Sequence, residues 1–509
     1  MASERDEQLM SRLTALMLAT VAAATVTVTI WRVSLAVRYW SQLGQAHGVW
    51  LTLADDMAHG TFYRPIVGEM GYGGTRYFPL HFVLHAGLLK AGLPLVGAGY
   101  VITGFSALAL AAGGWFLLTR LGLRGGAAIG ITLLAFSTVA AQIAVTSIRG
   151  DLLPAALNVW GLAFVAAMMA ERTEHGRMRA IFWAAAICFS LAFSAKVTTV
   201  FGLAAAVVAL AAGHRWRDAL RLTLAAGGMM AVISLLIILF SQGRALEQFR
   251  LCGMGERYSA AQLPGQFYRV AAGNDPIGLV FIAMACGGWI AARWSNRLSL
   301  LGIALPITFL VTLGIFMSVG TDENHLLDLN VIAVLFLAAA VWREKWFAPT
   351  IGIMAVTGLI ALGEVAVRLR HGERTPTRQQ CRAVYQHAGD RDAGPVLSEF
   401  ALIPLANGDS VQMLDPFATR IIGLAEPSVA ERLHRDLDEC RYRAVLLCLN
   451  PESSRGREMY ETLRFGPGFA DHLLASYEAA GKKEGYWLFL PRNGMRSNGS
   501  AVTRAAAAK

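Results

Sequence analysis

The stretch Phe78–Val96, FPLHFVLHAGLLKAGLPLV, decides the fold, because counting it as a membrane crossing moves every later loop to the other side. It is apolar, yet it carries His81, His85, Lys90, Pro79 and Pro94. We read it as a helix lying in, or dipping into, the outer interface. The alternative is a short span. Around it the 509-residue chain is 55% hydrophobic and only 16% charged, too little charge for a water-soluble protein of this length. Apolar runs of about 20 residues, long enough to cross a hydrocarbon core, recur from Leu13 to Val367. The runs are Leu13–Ile30, Gly99–Leu118, Ala127–Thr146, Leu152–Ala170, the shorter pair Ala180–Phe193 and Thr199–Ala212, and five more ending near Phe240, Ala292, Val319, Val341 and Val367. The N-terminal segment MASERDEQLMSRL offers no small-residue cleavage site, so the first run reads as a retained span.

Charge parity supports leaving Phe78–Val96 out of the count. With the N-terminus in the cytoplasm, the basic clusters Arg120/Arg124, Arg172/Arg177/Arg179, Arg215/Arg217/Arg221, Arg293/Arg297 and Arg343/Lys345 all fall inside. The acids Asp55/Asp56, Asp151, Glu256/Asp275 and Asp322/Glu323 all fall outside. That is the positive-inside pattern, and it accounts for the net charge of +10 without nucleic acid as a partner.

Beyond Arg368 charge becomes frequent and apolar runs shorten. GPVLSEF, SVQMLD, YRAVLLCL and GYWLFLP read as strands. SVAERLHRDLDEC and FADHLLASYEAAGKK read as helices, the second ended by Gly481 or Gly485. The expectation is an all-α polytopic membrane protein with about 11 transmembrane helices and a small C-terminal α/β extracytoplasmic domain. Its parts would be a membrane domain at 1–370 with a first external loop at about 31–97, an external domain at 371–493, and a disordered tail at 494–509. None of the six cysteines has a zinc spacing; Cys381 and Cys440 are candidates for a disulfide.

The external segments carry the polar chemistry. Val49–His59 fits an amphipathic helix flat on the membrane, with Val49, Trp50, Leu53, Ala54 and Met57 on one face and Thr52, Asp55, Asp56 and His59 turned to water. Then comes YRPIVGEMGYGGTRYFPL, whose glycines make a mobile, close-approach loop interleaved with Arg64, Arg76, Tyr63, Tyr72 and Tyr77. Arginine grips phosphate through a planar fork and tyrosine stacks on sugar faces, although an interfacial aromatic belt would also use tyrosines. Arg149 and Asp151 lie where one span ends and the next begins; Asp151 could equally cap a helix. Lys196, in SAKVTTV, either snorkels or meets an anion. Asp322, Glu323 and His325 are too nearly adjacent to make a good single metal site. Together these residues put acids, cations and tyrosines on one face of an apolar bundle, the arrangement a lipid-linked anionic substrate requires.

The motifs ADDMAHGTFYRP followed by RYFPLHF, then SIRGDLLPAALN, SAKVT and GTDENHLLDL, occur in an order that resembles the polytopic C-type (GT-C) glycosyltransferases. These use polyprenyl-phosphate sugars and include protein mannosyltransferases, the aminoarabinose transferase of lipid A and the catalytic subunit of oligosaccharyltransferase. The resemblance covers Leu13 to Val367. It implies a polyprenyl-phosphate-linked sugar donor, an envelope glycan, lipid or protein as acceptor, inversion at the anomeric carbon, and residence in a bacterial inner membrane with the C-terminal domain in the periplasm. It implies catalytic roles for Asp55 or Asp56 and for Asp151, with Asp55 favoured because Thr52 and His59 flank it. His47, His59, Arg64, Arg76, Tyr77, Arg149, Lys196 and His325 would bind substrate. No metal ligands are assigned, and a divalent cation stays open as a cofactor. One departure stands out: relatives carry an acid about a dozen residues before the G-x-x-Y, and here that region reads GQAHGVW, with His47 instead. The rival readings are a flippase for a lipid-linked glycan and a catalytically inactive membrane scaffold; the first would need ionisable groups at mid-depth in the spans, which are mostly clean.

Overall fold

The computed structural model describes residues 2–40, 43–170, 175–256, 258–294, 299–318, 320–342, 344, 346–370, 377–389 and 393–492. The expected tail at 494–509 and the basic-loop residues Arg172, Arg297, Arg343 and Lys345 lie outside the described residues.

The N-terminal part is a helical bundle. α1 (Ala2–Tyr39) is followed by two helices outside the bundle proper, α2 (Gln45–Ala58) and α3 (Leu80–Lys90), joined through a hairpin of β1 (Val67–Gly68) and β2 (Gly71–Tyr72). α4 (Leu95–Arg120), α5 (Gly125–Ala135), α6 (Val139–Val145), α7 (Leu152–Ala170), α8 (His175–Ala195), α9 (Phe201–Ala212) and α10 (Trp216–Phe240) continue the bundle. After α11 (Arg244–Gly255) and α12 (Leu263–Phe267), it is completed by α13 (Pro276–Trp294), α14 (Leu300–Ile315), α15 (Leu327–Val341) and α16 (Phe347–Arg370). Among the described residues seven helices are long and apolar enough to cross a membrane, nine if two bent pairs each count as one. The chain is therefore a multi-pass membrane protein. The expected eleven crossings require α9 and α14 in addition, and these are shorter apolar helices. α3, the core of the deciding stretch, is 11 residues long, about 16 Å at 1.5 Å per residue and half a hydrocarbon core. It packs on α2 instead, with His81 and Phe82 against Trp50 at ring distances of 5.1 and 6.3 Å.

The two bent pairs meet at one carboxylate. α5 and α6 turn by 86°, and the helix ending at Asn274 turns by 111° into α13. Pro276 lacks an N–H and pushes Asp275 out of the helical region, to φ −136° as the cap residue before α13. The Asp275 side chain then accepts from Val139 N and Ala140 N at 3.3 Å, Gly278 N at 3.0 Å and Asn330 Nδ2 at 2.8 Å. It closes the N-termini of both half-helices, whose first amides have no intrahelical partner. The sequence places Asp275 in an outer polar loop; the structure buries it completely.

The C-terminal part is a four-stranded sheet, order β3-β4-β6-β5, with β3 (Val396–Ser398) parallel to β4 (Ala444–Leu447) and the other pairs antiparallel. Its helices are α17 (Arg378–His387), α18 (Leu402–Ala406), α19 (Pro416–Ala425), α20 (Pro427–Asp438), α21 (Ser454–Met459) and α22 (Phe469–Ser476). Two sequence expectations are corrected here. FADHLLASYEAAGKK is helical only to Ser476; Tyr477–Lys483 is β5, paired to β6 (Tyr486–Pro491) through a tight turn at Glu484 (φ 49°) and Gly485 (φ 91°). Hairpin pairing overrides the helix propensity of Glu-Ala-Ala. SVQMLD is not a strand of this sheet; its Met413 makes an isolated bridge to Tyr72 of the first loop. Cys381 and Cys440 are free thiols. Alternation along β4 explains why: Cys381 packs with Ala444 and Leu446 on one face of the sheet, Cys440 with Val445 and Leu447 on the other.

The first loop is held between the two parts, which corrects a further expectation. Gly48 of α2 lies so close to α18 that a methyl group there would come within 2.7 Å of Leu402 N. Asp56 is 5% exposed, and Thr52 is fully buried. Part of the second face of α2, Thr52 and Asp56, is covered by the structure, while Asp55 stays about one-third exposed and His59 faces water as expected. The glycine loop is likewise pinned: Tyr72 N donates to Gln412 O at 2.7 Å, Leu414 N donates to Tyr72 O at 3.0 Å, and Tyr72 OH reaches Asp436 at 2.9 Å. Gly71, at φ 82°, sits where a Cβ would meet Gln412 O at 2.2 Å, so the close approach holds and the mobility does not.

Candidate active site

A cavity of about 1280 Å³ opens where the first loop, the bundle and the C-terminal domain meet. Its bundle wall is built by the ends of broken helices. After α6, Thr146 O and Ser147 O accept from Tyr100 OH (3.3 Å) and Thr103 Oγ1 (2.8 Å), and Ile148 is fully buried. That fixes the turn presenting Arg149 and Asp151. Lys196 stands between α8 and the short 3₁₀ turn Val197–Val200. Within that turn the Thr199 hydroxyl donates to Lys196 O at 2.6 Å, and Thr199 O accepts from Asn158 Nδ2 at 2.9 Å.

These groups converge on one carboxylate. Lys196 Nζ donates to Asp151 Oδ1 at 2.9 Å, Asn324 Nδ2 donates to the same oxygen at 3.0 Å, and Arg149 Nε stands 3.9 Å from Oδ2. Burial alone would raise the Asp151 pKa, but Lys196 and Arg149 hold it well below the usual carboxylate range. Asp151 is thus a fixed anion that orients two cations. Asp322, Glu323 and His325 line the cavity beside them. Asp322, outside the spans, is held below its ordinary value against burial by a hydrogen bond with Glu323 and by the charge of Arg149.

The first loop supplies His47, Trp50, Arg76 and Tyr77. Trp50 and Tyr77 lie 4.6 Å apart, ring to ring, and Tyr63 OH donates to Tyr77 O at 2.8 Å. Burial pushes the Tyr77 phenol up to about 12. Arg76 donates to both oxygens of Glu256, at 3.0 and 3.1 Å, and lies 4.7 Å from the ring of Phe417. Ser318 donates to the same Glu256 carboxylate. Burial, helped by Arg149, lowers the His47 imidazole to about 3, so it is neutral at ordinary pH. Its Nε2 is buried without a hydrogen bond among the described residues.

Asp55, Asp56, His59 and Arg64 are not brought to this cavity. They line a separate pocket of about 210 Å³ between α2 and the C-terminal domain. Arg64 Nε and a terminal nitrogen donate to Asp56 at 2.5 and 2.7 Å, and Arg64 also donates to Val411 O at 2.5 Å. Burial pushes the Asp56 carboxyl above its ordinary value, with Arg64 opposing. Asp55 is about one-third exposed, 3.6 Å from His59. The helical-face reading that favours them treats this side of α2 as open water. Conversely, Glu256, Asn324, Asp415, Phe417 and Arg464 line the cavity and are not among the residues to which the sequence assigns a role. Asn324 lies inside the motif GTDENHLLDL and Glu256 among the outer acids, while Asp415-Pro416 carries the signal of a helix start, and Asp415 does accept from Phe417 N at 3.0 Å. Among the described residues no group of three His, Cys, Asp or Glu is placed to hold a metal ion.

No protein-family model and no curated protein matches the sequence. Solved structures do. ArnT from Cupriavidus metallidurans, bound to undecaprenyl phosphate, is similar over 94% of this chain and 98% of that one, at TM-score 0.60 and 14% identity. The Archaeoglobus fulgidus oligosaccharyltransferase in its apo form gives 0.58 at 11% identity, covering 94% of this chain and 74% of that one. The same archaeal enzyme, AglB, in complex with an inhibitory peptide and a dolichol-phosphate gives 0.57 at 13%, with the same coverage. The chain has the GT-C fold. The fold expected from motif order is therefore present, C-terminal domain included, at identities that speak for architecture alone.

Proposed function

We propose that this protein is a membrane glycosyltransferase that moves a sugar from a polyprenyl-phosphate donor to an acceptor on the outer face of a bacterial inner membrane. The observation that carries the reading is the pair Lys196 and Arg149, held on Asp151 in the wall of a cavity large enough for a sugar and a phosphate. Two further points support it. The cavity has an apolar side, with Val197, Val311 and Ile315, suited to an isoprenoid chain. Neighbours with this fold were solved with undecaprenyl phosphate and with a dolichol-phosphate.

The step is an in-line displacement. The acceptor hydroxyl gives its proton to a carboxylate, and its oxygen attacks the anomeric carbon. The anomeric C–O bond to phosphate breaks, and the electron pair leaves with the polyprenyl phosphate, whose charge Lys196 and Arg149 stabilise. Asp151, already committed to those cations, is a poor base. We assign proton removal to Glu323, with Asp322 hydrogen-bonded beside it, and a structural role to Asp56. The N-terminus would be cytoplasmic and the C-terminal domain periplasmic.

The test is transfer from a panel of radiolabelled polyprenyl-phosphate sugars to a crude envelope acceptor in membranes. Lys196→Ala and Asp151→Asn should each lower turnover by about a hundredfold or more. Glu323→Gln or Asp322→Asn should match that loss, and Asp55→Asn should not. Transfer that survives Lys196→Ala and Asp151→Asn removes this site; collapse in Asp55→Asn alone returns the base to the first loop.

A further inference from the structure

The cavity lining also carries a cation of the C-terminal domain, Arg464. Arg464 ends the π-helical segment Tyr460–Arg464 of the C-terminal domain. The other π-helical segment described, Tyr268–Asn274, likewise places an arginine, Arg269, in the cavity lining. Inserted π turns are rare and frequent at functional sites. The two arginines differ in what they do with their donors. Arg269 donates to Gln266 Oε1 at 2.8 Å and to Thr321 O at 2.6 Å. Among the described residues the ion pair of Arg464 is with Glu399, 3.6 Å from its Nε and beyond hydrogen-bond reach; that Nε is buried without a hydrogen-bond partner, and the charge also acts on Asp415 in the same lining.

Glu399 is a built support. Its side chain is fully buried and accepts from Cys448 N at 3.0 Å and Tyr460 OH at 3.1 Å. Tyr460 in turn accepts from Leu449 N at 2.8 Å. The network spends the carboxylate on the protein and leaves the Arg464 fork, 22% exposed, facing the cavity. An arginine with a buried carboxylate behind its Nε and no hydrogen bond to its terminal nitrogens among the described residues is arranged for an anion.

We propose that Arg464 forms a second anion subsite, on the C-terminal domain, that takes a phosphate or carboxylate carried by the acceptor. The inference rests on the glycosyltransfer reading for the identity of the bound molecule, in which Lys196 and Arg149 take the donor phosphate. The acceptor would then be an anionic glycan or lipid, and the C-terminal domain would select it.

The experiment titrates the full-length protein in lipid nanodiscs with inorganic phosphate and, separately, glucuronate, with glucose as the neutral control. Two phosphate sites are expected. Lys196→Ala should remove one, Arg464→Gln the other, each weakening its site by about tenfold or more, and Arg464→Lys should retain part of the affinity. Saturation with undecaprenyl phosphate should leave only the Arg464-dependent site. Retention of the Lys196 site in Arg464→Gln shows that this variant is folded. Phosphate against glucuronate tells which anion the subsite prefers; glucose should not compete. The proposal is overturned if Arg464→Gln binds both anions as wild type does. Failure of undecaprenyl phosphate to bind overturns the donor reading instead, because the two-site titration without lipid still reports on Arg464.

Discussion

Asp56 and Arg64 illustrate how burial decides what a charged residue is for. Both are about 5% exposed and joined by two hydrogen bonds. Removing one partner leaves the other charge buried and uncompensated, so Arg64→Met should destabilise by about 3–5 kcal/mol. Asp56→Leu combined with Arg64→Met should recover much of that, and the recovered protein should still turn over if the pair is structural; thermal unfolding together with transfer assays checks both. His47 makes a second prediction. Its folded pKa is about 3 against 6.5, so between those values the unfolded chain binds a proton that the folded chain does not. Stability therefore rises with pH across that window, by up to about 1.4 kcal/mol per pH unit, and levels off above it. His47→Gln should flatten the melting-temperature profile between about pH 4 and 6.5. The residues legible in the sequence are those at span ends. Arg149, Asp151, Lys196 and His325 each sit beside an apolar run, and the bundle brings them together. Arg464 and Asp415 carry no such mark, because their place depends on a domain docking across hundreds of residues.

At the scale of elements, the broken helices matter most. One carboxylate, Asp275, serves the start of α6 and the start of α13, and α6 runs directly into Arg149 and Asp151. Asp275→Asn would turn an amide donor toward two of the four donors, whichever oxygen it replaces. It should cost about 1–3 kcal/mol and displace the turn after α6, raising the KM for the donor more than it lowers kcat. An unchanged KM in a destabilised variant would separate Asp275 from the site. Helix existence is plain from apolar runs, but the breaks are not: Ala127–Thr146 reads as one span, and the 86° bend comes from Phe136–Thr138, with Thr138 accepting from Ala141 N. β5 departs from its helical expectation for a related reason. Local propensity favours helix there, and only its pairing with β6 makes it a strand.

For the whole molecule the question is sidedness. The cavity gathers Arg76, Asp151, Lys196, Asp322 and Arg464 at one end of the bundle. Arg215, by contrast, donates to Met168 O, joining the far ends of α7 and α9. In a cysteine-free background, Lys483→Cys should react with a membrane-impermeant maleimide in intact spheroplasts, and Arg124→Cys only after permeabilisation. Labelling of Arg124→Cys from outside would reverse the topology. The parity of basic and acidic loops is the sequence's argument for this sidedness, and the labelling tests it. The sandwiching of the first loop is not readable in that way, since nothing in residues 45–74 names residues 402–414 as their cover. That sandwich has a consequence in time. Arg64 and its carbonyl partner Val411 are 347 residues apart, roughly 20 to 70 s of synthesis at 5–20 residues per second. Throughout that interval the first loop is already made while the surface that will bury it has not been translated. A nascent chain stalled before Val411 therefore leaves that loop uncovered, open to any protease that shares its compartment, and the vulnerability of this protein during biogenesis is set by the ribosome's pace.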